Sequence, residues 1–217
     1  MIKTYKKGKV TQLSKNFKST EFDCNGKNCC TETPIDDELV RVLQEVRNHF
    51  GVAVNLNCGY RCPVHNSRVN GASPNSQHMK GYAADIVVKG VHPMRVGRFI
   101  ETISGFKGRI GVYSWDDNGS GFVHVDTRGT NSRGIYTENN VNATAVNHFN
   151  VSIKYGSKGR HVKLVQRKLK AVGYYTKAID MSCGSGMKEA IGKWNAAHGR
   201  SNDYIWGPLC WNEAFPK

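Results

Sequence analysis

The stretch Ser76-Gln77-His78-Met79-Lys80-Gly81-Tyr82-Ala83-Ala84-Asp85 constrains the fold more than any other in the chain. It reads S-x-H-x-x-G-x-A-x-D and sets an imidazole and a carboxylate seven residues apart, with small residues between them. A helix would place such a pair on one face. Gly81 opposes a helix, however, and Ala84-Asp85-Ile86-Val87-Val88 reads as a buried strand. The expectation is a loop carrying His78, a turn at Gly81, and Asp85 near the start of a strand, with both side chains directed inward. That donor pair suits zinc, which takes nitrogen and carboxylate oxygen at ~2.0–2.2 Å.

A catalytic zinc site uses three protein ligands and keeps one position open. Gly121-Phe122-Val123-His124-Val125-Asp126 alternates as a strand does, so Phe122, His124 and Asp126 share one face. His124 is the candidate third ligand. Taken singly, His78 reads as a surface loop histidine, Asp85 as a turn former and His124 as a satisfied core histidine. Together, at this spacing, they argue for a metal.

These motifs resemble the D-alanyl-D-alanine carboxypeptidase-like zinc peptidases, a group that includes phage cell-wall endopeptidases. Cys58-Gly59-Tyr60-Arg61-Cys62-Pro63-Val64-His65-Asn66 is similar to the family's S-G-Y-R-x-x-x-x-N segment, with Cys58 in place of the usual serine. The resemblance covers roughly residues 13–128. It implies a small α+β domain with an antiparallel sheet, one Zn2+ held by His78, Asp85 and His124, and metal-assisted peptide hydrolysis. It also implies that Arg61 holds a substrate carbonyl or carboxylate, which guanidinium geometry suits. Ser76 orients the site or contacts substrate, or is a simple turn cap, and Tyr113 is a candidate hydrogen-bond donor to substrate. Relatives carry an acidic residue three before the last zinc histidine, or a histidine two before it; here those positions are Gly121 and Phe122. Asp126 is then the nearest candidate for the general base, or else it orients His124.

The rest of the chain fits around this site. Thr33-Pro34 reads as the opening of a helix, with Ile35, Leu39, Val42, Leu43, Val46 and Phe50 as one buried stripe and Gly51 as its stop. Residues 1–20 read as a basic arm ending in a turn or short helix near Leu13–Phe17. Val52–Leu56 reads as a strand and Pro93–Ile103 as a second helix. Arg109–Tyr113 and Phe122–Asp126 read as a hairpin turning at Asp116-Asp117-Asn118-Gly119. Residues 127–150, rich in Asn, Thr, Ser and Gly, suggest the end of the first domain and a linker. Helices follow over Lys158–Val172 and Ser185–Ala197, with a last short one after Trp206-Gly207-Pro208.

That C-terminal pattern resembles the peptidoglycan-binding domain family, a three-helix wall-targeting module. The matching residues are Tyr155-Gly156-Ser157-Lys158-Gly159, Val162-x-x-Val165-Gln166-x-x-Leu169, Gly173-Tyr174-Tyr175, Gly184-x-Gly186, Ala190-Ile191 and Trp206-Gly207-Pro208-x-Cys210-Trp211. Cys183 and Met187 depart from it. The expected organisation is a zinc peptidase domain over residues 1–133, a linker over 134–151 and a peptidoglycan-binding domain over 152–217.

Composition narrows the partners. The net charge is +14, and residues 154–217 hold 12 Lys/Arg against 4 Asp/Glu. Such a surface suits a polyanion. No helix-turn-helix, finger or RNP-like pattern accompanies the charge, so nucleic acid ranks behind an anionic cell wall. No run of 18 apolar residues suggests a membrane span. The basic N-terminus, with no apolar segment behind it, does not read as a signal peptide. The expectation is a monomer made in a host bacterial cytoplasm that reaches the wall by another route. The seven cysteines follow no secreted-scaffold spacing. Cys24, Cys29, Cys30, Cys58 and Cys62 cluster in the first third. Reduced thiols packed as small apolar groups are the default, with a disulfide or a structural metal as alternatives.

The function these readings favour is an endolysin-type peptidase cutting peptidoglycan stem peptides. A D-alanyl-D-alanine carboxypeptidase, or a wall-binding zinc protein without catalysis, are the alternatives.

Overall fold

The computed structural model describes residues 1–114, 121–129, 134–137 and 152–216. Strand β1 (Ile2–Lys6) pairs antiparallel with β2 (Glu32–Asp36). Helix α1 (Asp37–Phe50) follows directly, ending at Gly51 in the left-handed conformation. Its stripe of Leu39, Val42, Leu43 and Val46 is fully buried, each side chain contributing about 1.5–3 kcal/mol of apolar burial. Next come β3 (Val54–Cys58), the single-turn α2 (Pro63–Asn66), β4 (Ala83–Val88) and α3 (Pro93–Ile100). Strands β5 (Arg109–Ser114), β6 (Gly121–Asp126) and β7 (Gly134–Thr137) complete a five-stranded sheet in the order β3-β4-β6-β5-β7. The C-terminal unit holds α4 (Arg160–Ala171), α5 (Ser185–Ala197) and α6 (Pro208–Ala214). The chain is thus an α+β domain followed by a small helical domain. Among the described residues no helix is long and apolar enough to cross a membrane.

Several elements differ from the sequence reading. Residues 32–36 form a strand, so α1 begins three residues later than Thr33-Pro34 suggests. A residue before proline favours extended backbone, and Thr33 donates its hydroxyl to Asp23 rather than capping a helix. The N-terminal arm is partly a strand, tied down where the Met1 amino group reaches Asp36 at 3.0 Å. Thr127 Oγ1 donates to the other Asp36 oxygen at 2.7 Å, so one buried carboxylate joins the N-terminus to the end of β6. Gly134–Thr137, read as linker, adds to the sheet as a strand parallel to β5, whereas the other strand pairs of this sheet among the described residues are antiparallel. The Asp116–Gly119 turn lies outside the described residues.

The helical unit closes over Trp206 and Trp211, both fully buried. In the same unit Gln166 is fully buried with its amide satisfied: it donates to Asp180 at 2.7 Å and to Ser182 O at 3.1 Å, and accepts from Met181 N–H at 3.0 Å. The two units meet at α3. Arg98, fully buried, donates to the carbonyls of Trp211 and Phe215 and to the Asn212 side chain at the C-terminal end of α6. Two of these three bonds go to carbonyls of the last turn, where a helix runs short of its own donors, and the charge favours the negative end of the helix dipole.

Candidate metal centre and active site

The motif around Gly81 folds as a short 3-10 turn, Gln77–Lys80, that carries His78 and ends at Gly81 in the left-handed conformation (φ 75°). A Cβ at Gly81 would stand 2.5 Å from the Pro34 carbonyl oxygen, so conformation and close approach both require glycine. The chain then reverses into β4. Asp85 pairs across to His124 on β6, and Ala83 pairs to Asp126. The small side chain at Ala83, two residues from Asp85 on the same face, leaves room for the ionisable groups around it.

Three donor atoms converge. His78 Nε2 lies 3.2 Å from His124 Nδ1 and 3.3 Å from Asp85 Oδ1, and His124 Nδ1 lies 2.8 Å from the same oxygen. Ligands ~2.0–2.1 Å from a tetrahedral ion are ~3.3 Å apart, so this triangle accepts a zinc ion with little movement. The outer nitrogens fix the tautomers. His78 Nδ1 faces the Gly59 carbonyl at 2.7 Å, and His124 Nε2 faces Asp126 at 3.3 Å. Each ring therefore donates outward and turns a lone pair inward, the arrangement of a ligating histidine.

The same groups shift one another's proton affinities. Burial alone would lower His78, but hydrogen bonds to Asp85 and Cys58 outweigh it and push its pKa up to about 10. His124 is raised likewise, against burial, by Asp126 and Asp85. Burial alone would raise Asp85, but His124 and His78 hold it well below the usual carboxylate range.

Around the triangle, Arg61 comes from the turn after β3. Its guanidinium donates to Asn66 Oδ1 at 3.2 Å and Cys58 Sγ at 3.5 Å, and stands 4.0 Å from Asp85 Oδ2. Asn66 is itself held to Ser73 O at 3.0 Å. Cys58 Sγ lies 3.7 Å from His78 Nδ1. Burial alone would raise its pKa, but His78 and Arg61 together hold the thiol below its ordinary value. Tyr113 stacks on Phe122 with ring centroids 4.4 Å apart. A Cβ at Gly111 would meet the Tyr113 ring at 2.9 Å and His124 Cβ at 3.2 Å, so the bare backbone of Gly111 lets the tyrosine lie over toward His124. Ser76 precedes the 3-10 turn without a side-chain cap bond.

Asp126 has a different setting. Its side chain is fully buried, and Arg128 takes its oxygens through Nε at 2.7 Å and Nη2 at 2.5 Å. Burial would raise the carboxyl, but His124 and Arg128 bring its pKa down to about 2. It stands behind His124, on the ring edge opposite Asp85. The sequence reading missed Arg128, Gly111 and the bracing role of Asn66. The basic residue two after Asp126 was a usable signal; the other two emerge only from cross-strand and loop contacts.

Residues 15–126 match the family model for peptidase M15, and residues 158–213 match a putative peptidoglycan binding domain. The first match spans about half of the chain, which therefore belongs to the peptidase M15 family and carries a peptidoglycan-binding domain at its C-terminal end. M15 peptidases generally depend on zinc. No curated protein matches. Among solved structures, the N-terminal domain of SleB is 28% identical over 30% of this chain and 89% of its own, with a TM-score of 0.29. A Burkholderia AP3 phage endolysin is 33% identical over 30% of this chain and 24% of its own, with a TM-score of 0.28. A peptidoglycan-binding protein from Clostridioides difficile is 32% identical over 31% of this chain and 42% of its own, with a TM-score of 0.30. Each likeness is limited to less than a third of the chain.

Proposed function

We propose that this chain is a zinc-dependent peptidoglycan hydrolase of the endolysin type, an endopeptidase that cuts within stem peptides at an L-alanyl-D-glutamate or similar bond. The observation that carries the reading is the His78–Asp85–His124 triangle with Arg61 beside it. Those three residues would hold the ion. When bound, zinc supplies Lewis acidity that polarises a carbonyl and makes water nucleophilic near neutral pH. Gly59 and Asp126 keep the two imidazoles in the ligating tautomer. Arg61, braced by Asn66, offers a fixed positive charge to a substrate carboxylate, or to a carbonyl oxygen as it gains negative charge. Tyr113 and Ser76 line the approach as substrate contacts.

Asp126 is assigned here as a positioning residue for His124 rather than as the general base. Both its oxygens are engaged, and it lies behind the ring. The catalytic work is assigned to residues 1–137 and wall attachment to residues 152–217. Tethering raises the local substrate concentration without adding a contact at the metal, and the basic charge of the C-terminal part adds a salt-sensitive attraction to anionic wall polymers.

Digestion of purified peptidoglycan, with mass analysis of the fragments, tests the reading. New amino groups inside the stem peptide support it. Free D-alanine would instead indicate a carboxypeptidase, and sedimentation with the wall without cleavage a binding protein.

A further inference from the structure

Residues 23–31, Asp23-Cys24-Asn25-Gly26-Lys27-Asn28-Cys29-Cys30-Thr31, contain no aliphatic or aromatic side chain. Ordering a backbone costs about 1–2 kcal/mol per residue, and this loop buries little apolar surface to offset it. Yet it takes a defined path against the segment that follows β3. What gathers there is sulfur. The Sγ atoms of Cys24, Cys29, Cys30 and Cys62 all lie within 4.8 Å of one another. Cys24 and Cys29 are 3.6 Å apart, and Cys29 and Cys30 are 3.9 Å apart. We propose that these four cysteines bind a structural zinc ion as a tetrathiolate site, separate from the His78–Asp85–His124 centre.

Geometry separates this from the alternatives. A disulfide needs its sulfurs ~2.05 Å apart. Sulfurs ~2.3 Å from a tetrahedral zinc are ~3.8 Å from one another, and the Cys24–Cys29 and Cys29–Cys30 separations fall on either side of that value. Packed neutral thiols would not require four sulfurs to converge from three separate stretches of chain. At Cys24 and Cys62 the surroundings also favour thiolate charge. The Cys62 N–H points at Cys24 Sγ at 3.4 Å, and the His65 N–H points at Cys62 Sγ at 3.4 Å. Such donors stabilise the deprotonated form that a metal binds. His65 Nδ1 lies a further 3.3 Å from Cys24 Sγ.

The backbone is shaped for the cluster as well. Asn28 takes a left-handed conformation (φ 50°), bending the chain just before the two consecutive cysteines. A Cβ at Gly26 would stand 2.5 Å from Cys29 Sγ, so glycine leaves the sulfur its place. The spacing C-x4-C-C then C-x31-C lacks a C-x2-C pair, which is why the sequence alone favoured packed thiols. The consequence is local. The ion would pin the 23–31 loop to Cys62, the neighbour of Arg61, and so steady the turn that presents the guanidinium.

The test uses the full chain purified under reducing conditions. Metal analysis should find two zinc ions per wild-type chain and one in His124→Ala. Cobalt substitution should give thiolate-to-metal charge-transfer absorption that persists in His124→Ala and in Cys58→Ser and disappears in Cys24→Ser and Cys62→Ser. Should the serine variants fail to fold, the wild-type cobalt spectrum and the metal content of His124→Ala still decide. One zinc in the wild type and none in His124→Ala would overturn the proposal. So would iron in zinc's place, charge-transfer bands that vanish in Cys58→Ser, or a mass showing these cysteines paired as disulfides.

Discussion

Asp126 Oδ2 lies 3.3 Å from the outer nitrogen of His124, while the inner nitrogen of the same ring lies 2.8 Å from Asp85. One imidazole therefore joins two carboxylates with different work. Asp85 stands with His78 among the proposed metal donors. Asp126, gripped by Arg128, sets the ring's tautomer from behind.

Asp126→Asn tests that division. An asparagine keeps the shape but loses the charge that polarises His124. Outer-shell changes of this kind cost about 10–100-fold in metal affinity. The expected result is weakened zinc binding, measured by competition with a chromogenic chelator, with turnover largely recovered at saturating zinc. A general base would behave oppositely: affinity unchanged and turnover lost at any zinc concentration.

Arg61→Lys should keep the metal, since Arg61 donates to Cys58 and Asn66 but supplies no ligand. A lysine cannot reproduce the planar fork. The expected outcome is a fall of about tenfold or more in kcat/KM on a soluble stem peptide, roughly 1.4 kcal/mol, at unchanged zinc content. Loss of zinc in this variant would assign Arg61 to holding the site together rather than to substrate.

Arg98→Met should loosen the two units from each other. It removes the donors to Trp211 O, Phe215 O and Asn212, and leaves the Phe215 carbonyl buried without this partner. Each unsatisfied group costs about 1–3 kcal/mol, so a loss of at least ~2 kcal/mol is expected in chemical denaturation. Truncating the chain after residue 151 strips the same partners from Arg98. Slower wall lysis by such a fragment then reports stability as well as lost tethering, and comparison with Arg98→Met on walls and on a soluble peptide separates the two.

His161, in the first turn of α4, is pushed below its ordinary pKa by burial, and the positive end of the helix acts in the same direction. The unfolded chain takes up a proton near pH ~6.5, whereas the folded chain does so only at lower pH. This contribution to stability is present above ~6.5 and is lost as pH falls toward the folded value. NMR titration of the His161 ring should show a midpoint below ~6.5, and His161→Gln should flatten the fall in thermal midpoint between pH ~7 and ~5. A ring titrating above ~6.5 would contradict the account.

Much of the fold was legible because the periodicity was strong. Leu39, Val42, Leu43 and Val46 marked α1, and alternation marked β6. The convergence of His78, Asp85 and His124 was legible because Gly81 and Ala83 leave so little freedom between His78 and Asp85. What was hidden depends on pairing between distant segments. β1 has an ordinary basic sequence and becomes a strand only against β2. Gly134–Thr137 reads as linker until β5 offers an edge. Arg98 looks like a surface residue of α3 until α6 covers it. The four sulfurs approach one another only because the loop after Phe22 folds onto the turn after β3.

The most direct measurement is cleavage of purified peptidoglycan by the wild-type chain as isolated, after chelation, after zinc is restored, and by His124→Ala. The account predicts new amino groups from stem peptides with the isolated protein, none after chelation, recovery with zinc, and none from His124→Ala in any condition. Undiminished release of amino groups by the chelated protein or by His124→Ala would contradict it.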